Sequence, residues 1–100
     1  MTVPSPAEPR GLTVFFPAFN DAGTIASLVI KAVQVASRLT SNYEVIVVND
    51  GSSDDTAAVA EELARTYPRV RVIHHPQNRG YGGALRTGFA AAANDLIAYT

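Results

Sequence analysis

The sequence predicts an α/β domain built on an open, mainly parallel sheet with helices on both faces. Three short apolar runs rich in β-branched residues alternate with segments whose apolar residues recur every three or four positions, and a fourth run follows. Strands that alternate with helical segments favour parallel pairing through right-handed crossovers. The predicted order is therefore β-α-β-α-β-α-β.

The first part of the chain predicts a leader, a strand and a helix. Residues 1–10 hold three of the six prolines, and we expect a flexible, proline-rich leader at 1–11 before a domain at 12–100. The first strand, Leu12–Phe16, is expected to end at Pro17, which cannot donate to a central ladder. A stripe of apolar residues then predicts a helix from Thr24 to Leu39.

The second strand, at 45–49, consists mainly of valine and isoleucine and delivers Asp50 to its carboxyl end. Ser53 or Asp54 can cap the second helix, which Pro68 ends. Asp95 is expected to mark the turn before the last strand. The remaining predicted elements are a third strand at 70–74, a loop at 75–83, a third helix at about 84–93 and a fourth strand at 96–100.

Composition agrees with a folded domain and excludes several classes. Hydrophobic residues make up 47% of the 100, so the chain can bury a core, and the net charge of −1 offers no basic face for nucleic acid. The absence of cysteine excludes disulfides and thiolate metal sites. No apolar run approaches the roughly 20 residues of a membrane helix, and no secretory signal is visible. We expect a location in the cytoplasm or at the cytoplasmic face of a membrane.

Three predicted loops leave the same edge of the sheet and carry side chains with binding chemistry. Open parallel sheets bind ligands at the carboxyl ends of their strands, which makes Asp50 a candidate contact. Asp50 can accept a hydrogen bond from a nucleobase, and the base can pack on Phe19. The glycines of the third loop allow backbone amides to approach a ligand, and Arg79 can pair with phosphate.

Two other nucleotide-binding patterns are absent. A dinucleotide fingerprint places its glycines directly after the first strand, where this chain has Pro-Ala-Phe-Asn-Asp-Ala-Gly. A phosphate loop requires Gly-Lys-Ser or Gly-Lys-Thr, which does not occur. The glycine cluster follows the third strand instead, so neither pattern explains it.

Three segments together resemble the family-2 glycosyltransferases in order and spacing. They run from Phe16 to Asp21, from Val47 to Thr56 and from Asn78 to Gly88. The pair Tyr81-Gly82 is similar to the dolichyl-phosphate or polyprenyl-phosphate sugar synthase branch of that family. The resemblance spans 12–100, which is nearly everything outside the predicted leader.

This resemblance implies an A-type glycosyltransferase fold that binds a UDP- or GDP-type nucleotide-diphosphate sugar. Asp21 stands where the family more often has Glu. The implied nucleotide-binding residues are Pro17, Ala18, Phe19, Asn20, Asp21, Asp50, Gly51, Arg79 and Gly80.

The resemblance also implies chemistry that these residues do not complete. It implies inverting transfer assisted by a divalent cation, Mg²⁺ or Mn²⁺, to an acceptor such as polyprenyl (dolichyl) phosphate. The family's Asp-x-Asp metal motif is expected just beyond Thr100, with the catalytic base further downstream. We therefore expect no catalytic residue or metal ligand within the 100 residues, and no transferase activity from them alone.

Other functions stay open at this stage. A nucleotidyltransferase of related topology would favour a glycine-rich, basic loop after the first strand, which is absent. A non-catalytic nucleotide-binding or regulatory module of the receiver type would place an acidic pair near the first strand. It would also need a phosphorylatable Asp after the third strand, where His74, His75 and Pro76 stand.

Each candidate residue also has a structural interpretation. Asp50 can be a turn residue, and Asp54 with Asp55 can be charges favoured at a helix start. Arg79 and Arg86 can be solvated charges. His74 and His75 point to opposite faces of a strand and do not readily share a metal ion, so packing at the strand end is expected.

Overall fold

The computed structural model describes residues 11–94 and 96–99; residues 1–10 of the predicted leader, the predicted turn residue Asp95 and Thr100 of the predicted fourth strand lie outside them. Within that part of the chain, four parallel strands form one sheet in the order β3-β2-β1-β4. The elements are β1 (Leu12–Ala18), α1 (Ile25–Leu39), β2 (Tyr43–Asp50), α2 (Thr56–Thr66), β3 (Val70–His75), α3 (Gly80–Ala91) and β4 (Leu96–Tyr99). The predicted order and the parallel sheet are confirmed.

The strand order explains which face each helix covers. The chain moves outward from β1 to β2 to β3 and then returns past β1 to β4. Because crossovers between parallel strands are right-handed, helices on the outward and return paths lie on opposite faces. Accordingly, residues of α1 and α2 pack in one hydrophobic cluster, and residues of α3 pack in another.

Alternation along β2 supplies both clusters. Val45 and Val47 pack on the face that α1 and α2 cover, whereas Ile46 and Val48 pack on the face that α3 covers. All four side chains are fully buried. A strand buried on both faces is apolar at successive positions, which is the pattern that predicted it.

The close approach of α3 to β1 depends on Gly88. A Cβ atom at this position would overlap the ring of Phe15. Phe15 also packs edge-to-face with Phe89 at a ring-centroid distance of 5.1 Å. The glycine therefore lets the helix backbone lie directly on the aromatic ring.

The prediction that β1 ends at Pro17 is wrong, because the strand continues to Ala18. Pro17 pairs in register with Val48 of β2, whereas the described pairing of β1 with β4 stops at Phe15. Pro17 thus has a described strand neighbour on one side only. Pro17 lacks an N–H, but its carbonyl oxygen remains an acceptor, so the strand can continue past it.

The prediction of a long third loop and a late third helix is also wrong. His75 is the last residue of β3, and α3 begins at Gly80 rather than near Ala84. Glycines are poor helix formers, which is why the sequence favours a later start. In the structure, Asn78 Oδ1 accepts the N–H of Gly80 at 2.9 Å, and Asp50 Oδ1 accepts the N–H of Arg79 at 2.8 Å. These bonds stabilise a helix start that the local sequence disfavours.

Candidate functional site

The connections that follow β1, β2 and β3 converge on one cavity at the carboxyl edge of the sheet. Its volume is about 350 Å³. The lining residues are Pro17, Phe19, Asp21, Asp50, Asn78, Gly80 and Tyr81. Five of these were predicted from the sequence as site residues, so three separate segments of the chain meet as expected.

Asp50, the last residue of β2, is a buried acid that lines this cavity. Its side chain is buried, and Oδ1 accepts hydrogen bonds from Nδ1 of His75 and from the N–H of Arg79, both at 2.8 Å. Its backbone carbonyl accepts the Nδ2–H of Asn78 at 3.2 Å. Asp50 therefore connects β2 to β3 and to the start of α3.

These contacts keep the Asp50 carboxyl ionised. Burial by itself raises the pKa of Asp50, but the hydrogen bond from His75, the N–H groups of Arg79 and Gly80, and the charge of His75 lower it. The pKa of Asp50 consequently lies below its usual range. At neutral pH the carboxylate is an acceptor only.

Asn20 connects the first loop to the second and does not line the cavity. Its backbone adopts a left-handed conformation with φ 52°, which asparagine tolerates better than most residues. Its N–H donates to Ser52 Oγ at 3.0 Å, and its Oδ1 accepts the N–H of Ser53 at 2.9 Å. The amide thus holds the β1–α1 loop against the β2–α2 loop.

Asp21 lines the cavity and is held by the start of α2. Its N–H donates to Thr56 Oγ1 at 2.8 Å. Asp54 accepts the N–H of Thr56 at 2.9 Å, and the hydrogen bonds from the Thr56 hydroxyl and N–H lower the pKa of Asp54. The N-cap of α2 is Asp55, so the prediction that Ser53 or Asp54 caps this helix is wrong, although Asp54 accepts the first helical N–H and places its charge at the helix start.

Three further predicted residues support the site without lining the cavity. Gly51 has φ 71°, and a Cβ atom there would lie 2.6 Å from the carbonyl carbon of Gln77 and would overlap the backbone of Asn78. Ala18 is buried beneath the loops. Arg79 contributes its N–H to Asp50, while its side chain is exposed.

Two exposed aromatic rings lie at the cavity. Phe19 belongs to the loop after β1 and is 48% exposed, while Tyr81 lies in the first turn of α3 and is 60% exposed. Large exposed rings at a cavity that also contains a carboxylate are suited to stacking on a flat ligand. Tyr81 was not predicted as a site residue, because its position near a helix start depends on the early beginning of α3.

Sequence reasoning also missed the role of His75. In the parallel register of β2 and β3, Asp50 lies opposite His75 and Asn49 lies opposite His74. His75 Nε2 contacts Thr87 Oγ1 on α3 at 2.8 Å, whereas His74 contacts Asn49 and Glu61. The two histidines therefore point to opposite faces, as predicted, and only His75 reaches the site. The contact between His75 and Asp50 follows from the register of β2 against β3, which cannot be read from the sequence.

Within residues 11–94 and 96–99, no three His, Cys, Asp or Glu side chains come close enough to hold a metal ion. In the same part of the chain, no helix is long and apolar enough to cross a membrane.

The parallel sheet, with its cavity at the carboxyl edge, defines an α/β protein, and its solved glycosyltransferase neighbours assign it to the A-type glycosyltransferase fold. The family described as Glycosyl transferase family 2 matches residues 13–100. The chain belongs to this family.

Relatives and solved structures agree with this assignment. A dolichyl-phosphate beta-glucosyltransferase of Trichomonas vaginalis is 35% identical over 96% of this chain and 30% of its own length. The glycosyltransferase AglD of Haloferax volcanii is 36% identical over 96% of this chain and 16% of its own length. The chain thus spans less than a third of either relative.

The similarity in structure covers nearly the whole chain. A mannosyltransferase of Pyrobaculum calidifontis, solved with GDP-Man and Mn²⁺, matches with a TM-score of 0.76 and 28% identity over 95% of this chain and 28% of its own. A glucosyl-3-phosphoglycerate synthase of Mycobacterium tuberculosis, solved with Mn²⁺ and UDP, matches with a TM-score of 0.69 and 29% identity over 91% of this chain and 33% of its own.

Proposed function

We propose that this chain is the nucleotide-binding part of a glycosyltransferase that moves a sugar from a nucleotide-diphosphate donor to a lipid phosphate. The observation that carries the proposal is the cavity that the ionised carboxylate of Asp50 lines together with the exposed rings of Phe19 and Tyr81. A nucleobase offers both features that such a cavity binds, a flat ring and N–H donors at its edge.

In this proposal Asp50 accepts an N–H of the base, while Phe19 packs on its ring face. Uracil and guanine both carry a ring N–H next to a carbonyl group, so both UDP and GDP fit the same acceptor. The two solved neighbours hold GDP-Man and UDP, which supports either choice. The Arg79 side chain, which is exposed beside the helix start, would pair with the diphosphate.

We further propose that the complete enzyme uses a divalent cation, Mg²⁺ or Mn²⁺. The presence of Mn²⁺ in both neighbours supports this proposal. A divalent cation supplies neutralisation of a diphosphate leaving group. We expect its Asp-x-Asp ligands beyond Thr100, and we assign no step of the reaction to a metal held by the described residues.

Polyprenyl phosphate is the acceptor that we propose, with inversion at the anomeric carbon. The names of the relatives support it, because they include dolichyl-phosphate and undecaprenyl-phosphate sugar transferases. Such an acceptor would place the enzyme at the cytoplasmic face of a membrane.

Calorimetric titration with UDP, GDP and NADH, each with and without Mn²⁺, tests the proposed donor site. We expect UDP or GDP to bind and NADH not to bind. Binding of NADH without binding of UDP or GDP would contradict the glycosyltransferase assignment and favour a dinucleotide site.

A further inference from the structure

The ring of His75 joins the Asp50 carboxylate to the body of α3. Nδ1 lies 2.8 Å from Asp50 Oδ1, and Nε2 lies 2.8 Å from Thr87 Oγ1. The side chains of His75 and Asp50 are only 3% and 5% exposed. Both ring nitrogens are therefore shielded from water and depend on these two protein partners.

The chemistry of the partners fixes one proton on the ring. An ionised carboxylate has no hydrogen to give, so His75 Nδ1 must carry the proton and donate it to Asp50. The Thr87 hydroxyl has a single hydrogen and lies 3.1 Å from the carbonyl oxygen of Gly83. That hydrogen can point to Gly83 or to Nε2, so only the Nε2 end of the ring has two arrangements.

The same contacts orient the carboxylate. Within the described residues, the hydrogen bonds from His75 and from the N–H of Arg79 both end on Oδ1 of Asp50, and the N–H of Gly80 makes a weaker contact with the same carboxylate. Asp50 lines the cavity, and Oδ2 is the oxygen that neither of the two Oδ1 bonds uses, so it is the acceptor for a ligand. Rotation of the carboxyl group would break both bonds to Oδ1.

We propose that His75 is a positioning residue for Asp50, that Thr87 fixes the far end of its ring, and that this chain of contacts presents Oδ2 to the nucleotide. The inference rests on the proposed function, in which Asp50 contacts the base. His75 itself does not line the cavity. Its effect on a ligand therefore passes through Asp50.

A set of three variants separates positioning from packing. The amide nitrogen of an Asn side chain occupies about the position of Nδ1, and that of Gln occupies about the position of Nε2. His75→Asn therefore keeps the donor to Asp50, His75→Gln keeps only the contact with Thr87, and His75→Leu keeps neither.

Binding of UDP and GDP to the wild-type chain and the three variants is measured by calorimetry, with circular dichroism to check folding. We expect His75→Leu and His75→Gln to weaken binding about tenfold, the usual scale of one hydrogen bond to a charged group, and His75→Asn to stay within about threefold of wild type. Equal binding by all four proteins, or an equal loss in all three variants, would overturn the positioning role.

A measurement without ligand tests the positioning role of His75 separately from the proposed nucleotide site. Nitrogen-15 NMR of the imidazole is expected to show a protonated Nδ1 on His75 in the wild-type chain. If neither UDP nor GDP binds the wild type, the proposed donor site is wrong, and a protonated Nδ1 would still support the contact that orients Asp50. An unprotonated Nδ1 would overturn the positioning inference whether or not a nucleotide binds.

Discussion

Strand β2 carries one acidic side chain at each end, and the two ends differ in what the carboxylate contacts. At the amino end, Glu44 Oε2 accepts the Thr13 hydroxyl at 2.8 Å and the N–H of Ala93 at 2.7 Å, while Oε1 accepts Nε of Arg71 at 3.0 Å. Both oxygens of Glu44 are therefore occupied by protein donors. At the carboxyl end, the hydrogen bonds from His75 and from the N–H of Arg79 both end on Oδ1 of Asp50.

This difference separates a structural acid from the acid that we propose binds the nucleotide. Glu44 connects β1, β3 and the end of the described α3–β4 connection, and it lies away from the cavity. Asp50 connects β2 and β3 but keeps one oxygen for the cavity. Parallel sheets bind ligands at the carboxyl edge. The contrast between Glu44 and Asp50 agrees with this rule, because the acid at the carboxyl end keeps an acceptor oxygen that neither of its two Oδ1 hydrogen bonds uses.

The largest effect is expected from Gly51→Ala, which disturbs only the carboxyl end. The positive φ and the overlap of a new Cβ with the backbone of Asn78 should lower the free energy of unfolding by about 3 kcal/mol. Chemical denaturation measures this change. The matched control is Gly23→Ala on the same edge, where no atom lies within 4 Å of an added Cβ. Equal stability of the two variants would refute the close approach at Gly51.

A smaller effect is expected from Glu44→Ala at the amino end. The buried Thr13 hydroxyl loses its acceptor, and the N–H of Ala93 and the guanidinium of Arg71 lose theirs, so the free energy of unfolding should fall by about 2 kcal/mol. Affinity for UDP and GDP should be unchanged wherever the variant remains folded. A loss of affinity without loss of structure would break the distinction between the two ends.

Acid should weaken both ends together. For Glu44, burial raises the pKa, but the N–H of Ala93, the Thr13 hydroxyl and Arg71 lower it below its usual range. Since the folded pKa values of Glu44 and Asp50 are both lowered, their contribution to stability is fully present above about pH 5 and is lost as the pH falls through the folded pKa values.

Denaturation curves recorded from about pH 6 to about pH 2, which covers the range where carboxyl groups titrate, measure this loss of stability. The variant Glu44→Gln should show a weaker dependence on pH than the wild type, because one of the two carboxylates is removed. An identical pH dependence would show that Glu44 does not contribute.

The smallest effect is expected from Arg71→Met. The ion pair of Arg71 with Glu44 has an arginine side chain that is 46% exposed, so water and salt screen it. We expect a change of at most about 1 kcal/mol in the free energy of unfolding, decreasing with added salt. Arg71 also donates to the carbonyl oxygen of Ala91, so a change larger than that of Glu44→Ala would show that the contacts of Arg71, not the hydrogen bonds from Thr13 and Ala93, dominate the amino end.

The sequence predicted the element order because burial on both faces of β2 produces an unbroken apolar run, while α1 and α2 each carry an apolar stripe on one side. The start of α3 was predicted too late because its stabilising contacts come from Asn78 and Asp50, and the Asp50 contact is made across the fold. The continuation of β1 through Pro17 was missed for a similar reason, since it depends on the pairing of Pro17 and Ala18 with β2.

The candidate site, like the fold, was predicted in part from the sequence. Asp50 could be placed because a strand followed by an acid identifies the carboxyl edge without any knowledge of partners. His75 could not, because its contact with Asp50 depends on the register of β2 against β3. Local patterns thus predicted the residues that follow strands, whereas contacts between segments required the structure.

The central claim is that the carboxyl end of β2, and not its amino end, binds the nucleotide. Calorimetric titration of UDP and GDP into the isosteric variants Asp50→Asn and Glu44→Gln tests it directly. We expect Asp50→Asn to weaken binding by about tenfold or more with a folded circular dichroism spectrum, and Glu44→Gln to bind as the wild type does. Wild-type affinity in Asp50→Asn, or an equal loss in both variants, would contradict the assignment of Asp50 to the nucleotide site.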